Sequence, residues 1–227
     1  MTAVRLALLS LAATTVIPVS AAEPDSAIEK AVVGYQERGG RVVRADTVPG
    51  KPVTIVDLHR VAVIDADLAP LAAMTDLEVV DLSYTKVTDA GLKHLAGLPK
   101  LKQLCIYGTA VTDAGLVHLK DIKTLETLFI AETAVGDEGL KHLAALSALQ
   151  ALELDHTKVT DAGLETVGKL TNLRRLELHH NPGITDAGLK YLVGLPRLMW
   201  VDLHRTAVTS QGAKKIQNAL LATRVVQ

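Results

Sequence analysis

Hydrophobic residues recur along most of this chain with a period of 24 residues. The stretch "VTDAGLKHL" at 87–95 returns as "VTDAGLVHL" at 111–119, "VGDEGLKHL" at 135–143, "VTDAGLETV" at 159–167 and "ITDAGLKYL" at 184–192. Alignment of these copies gives seven blocks, which begin at Val53, Leu77, Leu101, Leu125, Leu149, Leu173 and Leu198. Repetition at such a period is typical of a solenoid, in which each unit packs only against its neighbours.

Each block has a half that resembles a strand and a half that resembles a helix. Apolar residues at positions 4 and 6 alternate with variable ones at 3, 5 and 7, which predicts a β-strand. A pair such as Thr88-Asp89 then supplies an N-cap and a negative charge for a helix start. Leu at positions 16, 19 and 22 forms one apolar helical stripe. Glycine at position 15, as in Gly91, is a poor helix former, so we expect stacked helices to approach too closely there for a Cβ atom.

This order of elements predicts parallel strands that are joined by right-handed crossovers. We therefore expect an α/β fold, a curved right-handed solenoid. Its parallel β-sheet would form the concave face and its helices the convex face.

The motif within each block resembles the leucine-rich repeat over about 53–221. The signature L-x-x-L-x-L-x-x-N-x-L is matched by "LEVVDLSYTKV", "LKQLCIYGTAV" and "LRRLELHHNPGI", although threonine replaces the usual asparagine in all of them except at Asn181. The resemblance implies a leucine-rich-repeat solenoid. Ribonuclease-inhibitor-like and F-box-associated relatives are protein-interaction scaffolds, and the Thr-Asp-Ala-Gly-Leu style is similar to small exported proteins of environmental bacteria.

The two ends of the chain differ from the repeats. Residues 1–22 contain Arg5, an apolar run that Pro18 ends, and small residues that offer two cleavage sites, which is typical of a signal peptide. That run is shorter than the ~18 residues that span a bilayer. We expect export to the periplasm, cell envelope or medium, with no membrane span. We also expect an N-terminal cap of helix and strand at 23–52, seven repeats at 53–221 and a cap end at 222–227.

Composition restricts the possible partners. Lys+Arg number 24 and Asp+Glu 25, so the net charge of −1 gives no electrostatic support for a nucleic-acid partner. A single cysteine, Cys105, excludes an intramolecular disulfide framework and a cysteine-based zinc site. Aromatic residues are only 3% of the chain, which predicts an aliphatic core. We expect a monomer with no cofactor and with a protein partner.

Aromatic residues concentrate at block positions that face away from the predicted core. Positions 3, 5, 7 and 8 project from the concave sheet and hold Tyr84, Tyr107, Phe129 and Trp200. We expect Cys105, Tyr107, Phe129 and Ala131 to form one apolar patch that Tyr84 flanks, with Cys105 partly exposed. Exposed aromatic patches mark binding surfaces, whereas aromatic residues also simply suit strands.

Histidines and carboxylates form a second group on the same positions. Its members are Asp81, Glu153, Asp155, His156, Glu177, His179, His180, Asp202 and His204. We expect these side chains to point into solvent and to form a polar recognition rim that responds to pH, because histidine titrates near neutrality. The alternative is a metal site or acid–base chemistry.

Together these patterns predict a noncatalytic binding module that recognises a macromolecule, most simply another protein, through its concave sheet. Two alternatives remain from the sequence: a metal-dependent hydrolase that uses the histidines and carboxylates, and a structural component of the cell envelope. Fold alone does not decide among them.

Overall fold

A computed structural model describes residues 27–48 and 50–227 and confirms the α/β solenoid. The predicted signal peptide at 1–22 lies outside the described residues. Within the described part of the chain, no helix has both the length and the apolar character that crossing a bilayer requires.

The strands of the described residues form one sheet in sequence order. They are β1 Arg41–Arg44, β2 Val53–Asp57, β3 Val79–Asp81, β4 Gln103–Cys105, β5 Thr127–Phe129, β6 Ala151–Glu153, β7 Arg175–Glu177, β8 Trp200–Asp202 and β9 Arg224–Val226. β1 is antiparallel to β2, and each later strand is parallel to the one before it. The register pairs equivalent block positions, for example Val80 with Leu104. Side chains at one block position therefore form a row across the sheet.

The connections on the other side of the sheet are shorter helices than the leucine spacing predicts. The α-helices are α1 Ala27–Glu37, α2 Asp89–Leu92, α3 Asp113–Leu116, α4 Asp137–Leu140, α5 Asp161–Val167 and α6 Ser210–Ala219. The 3₁₀ helices are Asp65–Ala73, Lys93–Leu95, Val117–Leu119, Lys141–Leu143 and Gly188–Tyr191. Neighbouring strands of a sheet lie about 4.8 Å apart, whereas an α-helix with its side chains is about 10 Å wide, so full helices cannot stack at the spacing of the strands. Tighter 3₁₀ turns reduce that mismatch.

The core lies between the sheet and the helical turns. Leu104, Leu128 and Leu176 of the strands have no exposed surface, and neither do Leu92 and Leu95 of the helical turns. The alternation along each strand and the leucine stripe along each helical turn therefore bury their apolar residues as the pattern predicts.

Adjacent repeats are joined by a carboxylate that bonds to the next N-cap. Asp65 accepts hydrogen bonds from Thr88 N and Thr88 Oγ1, each at 2.7 Å. A Cβ atom on Gly91 would lie 2.5 Å from Asp65 Oδ1, which confirms the close approach expected at position 15. The glycine is thus required by the carboxylate of the preceding repeat.

The exchange of asparagine for threonine at position 9 changes what this residue bonds to. Thr133 Oγ1 donates only to Ile130 O within its own turn, at 2.7 Å. Asn181, in contrast, donates to Leu154 O at 2.8 Å and accepts from Thr157 N at 3.0 Å, both in the preceding repeat. The asparagine links two repeats where threonine closes one turn.

Both ends of the described chain are covered. α1 packs at the first repeat through Tyr35, which is 1% exposed and donates to Asp67 O at 2.5 Å. At the other end, β9 follows α6 and pairs in parallel with β8. The leucine pattern did not predict β9, because Ala222 stands where the preceding block has Leu198. The neighbouring Thr223 Oγ1 donates to Leu198 O at 2.5 Å.

Candidate functional site

The turn after each of the strands β2 to β8 has a left-handed residue at block position 8. The φ angles are 59° for Arg60, 57° for Tyr84, 63° for Gly108, 52° for Glu132, 53° for His156, 59° for His180 and 54° for Arg205. Side chains other than glycine rarely adopt this conformation, so its recurrence is a property of the repeat. The sequence pattern did not reveal it, since the residues at this position are mostly not glycine.

Aromatic side chains meet along one edge of the concave face. The ring of Tyr84 lies 5.7 Å from that of His59 and 5.0 Å from that of Tyr107, and the Arg60 guanidinium lies 5.2 Å above it. We call His59, Arg60, Tyr84 and Tyr107 the aromatic row. A Cβ atom on Gly108 would come within 2.7 Å of the Tyr84 ring, so this glycine makes room for the row.

Tyr107 lies at the end of the aromatic row and donates a hydrogen bond to the next repeat. Its hydroxyl donates to Glu132 Oε1 at 2.7 Å. Partial burial, and then this bond, hold the pKa of Tyr107 well above its usual value. Tyr84 is 37% exposed. The row therefore presents one well-exposed ring beside a ring that is fixed in place.

The apolar patch predicted around Phe129 is smaller than expected. Cys105 is 4% exposed and Ala131 is 0% exposed, so the expectation of a partly exposed Cys105 is wrong. Phe129 is half-buried and pairs in register with Cys105 on the adjacent strand. Gln103 Nε2 lies 3.7 Å from the Cys105 sulfur. Because Cys105 and Ala131 are buried, Phe129 and Tyr107, which are half-buried, form the accessible part of the patch.

Three of the predicted histidines form a compact group in the C-terminal half. The rings of His156 and His180 stack at 3.8 Å, and those of His179 and His180 are 4.0 Å apart. We call His156, His179 and His180 the histidine cluster. Arg205 Nη1 lies 2.5 Å from His180 Nε2. Desolvation lowers the pKa of His179, and desolvation together with the neighbouring His179 lowers the pKa of His180.

Three carboxylates lie beside the histidine cluster. Ligand oxygens of Glu153, Asp155 and Glu177 all fall within 4.8 Å of one another. Asp155 is 4% exposed and accepts from His179 N at 2.8 Å, so the expectation that it points into solvent is wrong. Burial and then the charge of Glu177 raise the pKa of Asp155 to about 7.

Two aspartates in the row at position 5, Asp81 and Asp202, have a local role. Asp81 Oδ1 accepts from Ser83 N at 2.8 Å, and Asp202 Oδ1 accepts from His204 N at 2.9 Å. Such bonds two residues along the chain stabilise a turn. The ring of His204 also contacts Asp202, with Nδ1 at 2.8 Å from Asp202 Oδ1. These residues shape the turns and are not brought into the aromatic row.

Trp200 lies apart from the other aromatic side chains. Its ring has the Arg175 guanidinium at 5.2 Å and that of Arg224 at 4.9 Å. Arg175 Nε also donates to Glu177 Oε1 at 2.6 Å. Sequence reasoning selected Trp200 but missed the two arginines, because Arg224 reaches the ring only through the unpredicted strand β9.

Comparisons with known proteins agree with this architecture. A family model described as leucine rich repeat matches residues 73–96 and 169–193. The chain is similar in structure to internalin C2 of Listeria monocytogenes, with a TM-score of 0.62 and 22% identity over 77% of this chain and 70% of that one. An internalin, InlF, of the same organism gives a TM-score of 0.55 and 21% identity. The match covers 76% of this chain and 53% of that one, so this chain spans about half of that protein's length. No curated protein matches the sequence.

Proposed function

The chain is a leucine-rich repeat protein, and on that premise we propose that it is an exported, noncatalytic module that binds another protein through its concave sheet. The observation that carries this proposal is the aromatic row. Tyr84 is 37% exposed on the face opposite the helical turns, in a chain with a core of aliphatic residues. Aromatic and arginine side chains at the centre of an interface supply most of its binding energy.

The row is also well organised before a partner arrives. Tyr84 contacts the ring of Tyr107 at 5.0 Å, and Tyr107 is held by Glu132 at 2.7 Å. Side chains that are already ordered lose little conformational entropy on binding. Polar groups of the C-terminal half, such as His204 and Arg205, then form a rim that contributes to selectivity.

A binding role fits this face better than a hydrolase does. Catalysis favours an enclosed site that excludes water. The exposed side chains of His156 and Arg205 lie on an open sheet face. Recognition of a large partner requires this kind of accessible surface.

Export is the other part of the proposal, and it rests on the pattern of residues 1–22. We expect the chain expressed in its native host to lose about 21 or 22 residues and to be found outside the cytoplasm. Intact-mass measurement of the mature protein tests this expectation. Retention of Met1 to Pro18 on a soluble mature product would contradict export.

Affinity capture from the envelope fraction of the source organism tests binding. The bait is the chain without residues 1–22, compared with Tyr107→Ala and Phe129→Ala on the concave face. Lys93→Glu and Lys141→Glu, on the exposed helical side, are the matched controls. We expect Tyr107→Ala to weaken the captured complex by about 2 kcal/mol and the lysine controls to leave it unchanged. A complex that survives both aromatic substitutions and is lost with the lysine changes would place the site on the convex face.

A further inference from the structure

We propose that the histidine cluster binds a divalent transition-metal ion of the Zn²⁺ type. The cluster is His156, His179 and His180, and one ring nitrogen of each lies within 4.8 Å of the others. Neutral imidazole is a preferred ligand for zinc, copper and nickel. This inference does not depend on the proposed protein partner, because metal binding is measured on the chain alone.

The spacing of two ring nitrogens suits a tetrahedral ion. His179 Nδ1 and His180 Nδ1 are 3.3 Å apart. Two nitrogens at about 2.0–2.1 Å from one zinc ion in tetrahedral geometry are separated by about 3.3 Å. Adjacent residues thus already provide one edge of the coordination tetrahedron, and His156 from the preceding repeat supplies the third nitrogen.

The backbone holds these histidines in fixed relative positions. His156 N donates to His179 O at 2.9 Å, and His180 N donates to His204 O at 3.0 Å. His179 N donates to the buried Asp155 carboxylate at 2.8 Å. Ligands on a rigid scaffold favour metal binding because little conformational entropy remains to be lost. The remaining adjustment is a rotation of the His156 ring, whose stacking on His180 keeps their nitrogen lone pairs from converging.

The nearby carboxylates favour a cation at this position. Asp155 Oδ2 lies 3.9 Å from His179 Nδ1, the nitrogen that would ligate the ion, so a negative charge on this carboxylate would attract a dication there. Glu153 and Glu177 add two further carboxylates within 4.8 Å of Asp155. Arg175 is bonded to Glu177 and partly balances this negative charge. A dication at the histidine cluster would face this group of carboxylates.

Arg205, beside the histidine cluster, would have opposite effects on the binding of a metal ion and of an anion. Its guanidinium is always charged and can only donate, so the 2.5 Å contact makes His180 Nε2 the acceptor. This contact favours the proton on Nδ1, the nitrogen that faces His179. Arg205 therefore competes with a metal ion through both its charge and its bond, whereas it would assist an anion. The side chain is exposed and is free to swing into solvent when a metal binds.

Titration calorimetry with ZnCl₂ on the chain without residues 1–22, made without a histidine tag, tests the proposal. We expect one tightly bound ion per chain. His179→Gln and His180→Asn should each weaken binding by at least about tenfold. Asparagine is chosen at 180 because it tolerates the left-handed backbone that His180 adopts. His94→Gln, in a helical turn on the other side, is the matched control and should leave the affinity unchanged.

Arg205→Asn completes the experiment and should tighten zinc binding. Circular dichroism and thermal unfolding of each variant in the presence of EDTA establish that the fold is retained. Equal affinity of wild type and His179→Gln would overturn the proposal, as would the absence of a one-to-one isotherm in the wild type. Weaker zinc binding in Arg205→Asn would also contradict it, because the arginine would then be a part of the site.

Discussion

The carboxylate of Asp89 accepts two hydrogen bonds from Thr112, one from the backbone N and one from Oγ1, each at 2.7 Å. The two residues are in successive repeats, and Thr112 is also the N-cap of the helical turn that follows it. The same pairing joins Asp137 to Thr160 at 2.8 and 2.6 Å. One acidic side chain thus links the stacking of repeats to the start of each helical turn.

One repeat lacks half of this link, which gives the first prediction. Gly136 donates only its backbone N to Asp113, at 2.6 Å, and it has no side chain to cap α4. Its φ of −129° and ψ of −159° are extended, and a Cβ atom there would make only ordinary contacts at 3.5 Å or more. We expect Gly136→Thr to raise the free energy of unfolding by about 1 kcal/mol in urea titrations.

Gly136→Val is the control for that prediction. It adds a β-branched side chain of the same shape and restricts the unfolded chain similarly, but it supplies no hydroxyl. An equal gain from valine and threonine would show that the added hydroxyl, through its bond to Asp113 and its capping of α4, contributes nothing.

The second prediction concerns Gly139 at position 15. In an exposed helix, alanine is more favourable than glycine by about 1 kcal/mol. Here a Cβ atom would lie 2.5 Å from Asp113 Oδ1 and 2.9 Å from Asp113 Cα. We expect Gly139→Ala to destabilise the protein by about 1–3 kcal/mol, measured by thermal or urea unfolding. Gly97→Ala, where no atom lies within 4 Å of the added Cβ, should be neutral or slightly stabilising.

The third prediction compares two adjacent residues of β5 that face opposite sides of the sheet. Leu128 has no exposed surface, whereas Phe129 is half-buried on the concave face. Leu128→Ala should lower the free energy of unfolding by about 2–5 kcal/mol. Phe129→Ala should lower it by no more than about 1 kcal/mol, although it removes the larger side chain. A reversed order would mean that the register of the sheet is wrong.

The fourth prediction is a dependence of stability on pH through Asp155. Its pKa is raised from 3.8 to about 7, first by burial and then by Glu177, so the folded state holds this proton more tightly than the unfolded chain does. The contribution of Asp155 to stability therefore decreases as the pH rises from about 4 to about 7. Asp155→Asn keeps an oxygen for His179 N and removes the charge.

Unfolding at pH 5 and pH 8, with EDTA present, measures this effect. The wild type should lose more stability than Asp155→Asn between the two pH values, and the difference reports on the Asp155 carboxyl, because every other titratable residue is present in both proteins. Parallel pH profiles for the two proteins would show that Asp155 is ionised at low pH and that its burial carries no electrostatic penalty.

Much of the site was predictable as a set of positions, but not as a set of contacts. The block alignment placed Tyr84 and Tyr107 on one face, and their rings do meet. It also placed Cys105 and Asp155 there as accessible groups, and both are buried. A position in a repeat determines the direction of a side chain, whereas exposure depends on the size of its neighbours 24 residues away.

The sequence by itself determined the solenoid, because a strand and a helical turn are local structures and their signals recur within each block. Alternating apolar residues, the Thr-Asp start and the leucine stripe each act over a few residues. Only the tertiary structure decided what these residues do between blocks. The carboxylate of Asp89 reaches Thr112, and His156 meets His180, through stacking at the spacing of β-strands. That spacing brings together side chains far apart in the chain, and no local pattern encodes which of them come into contact.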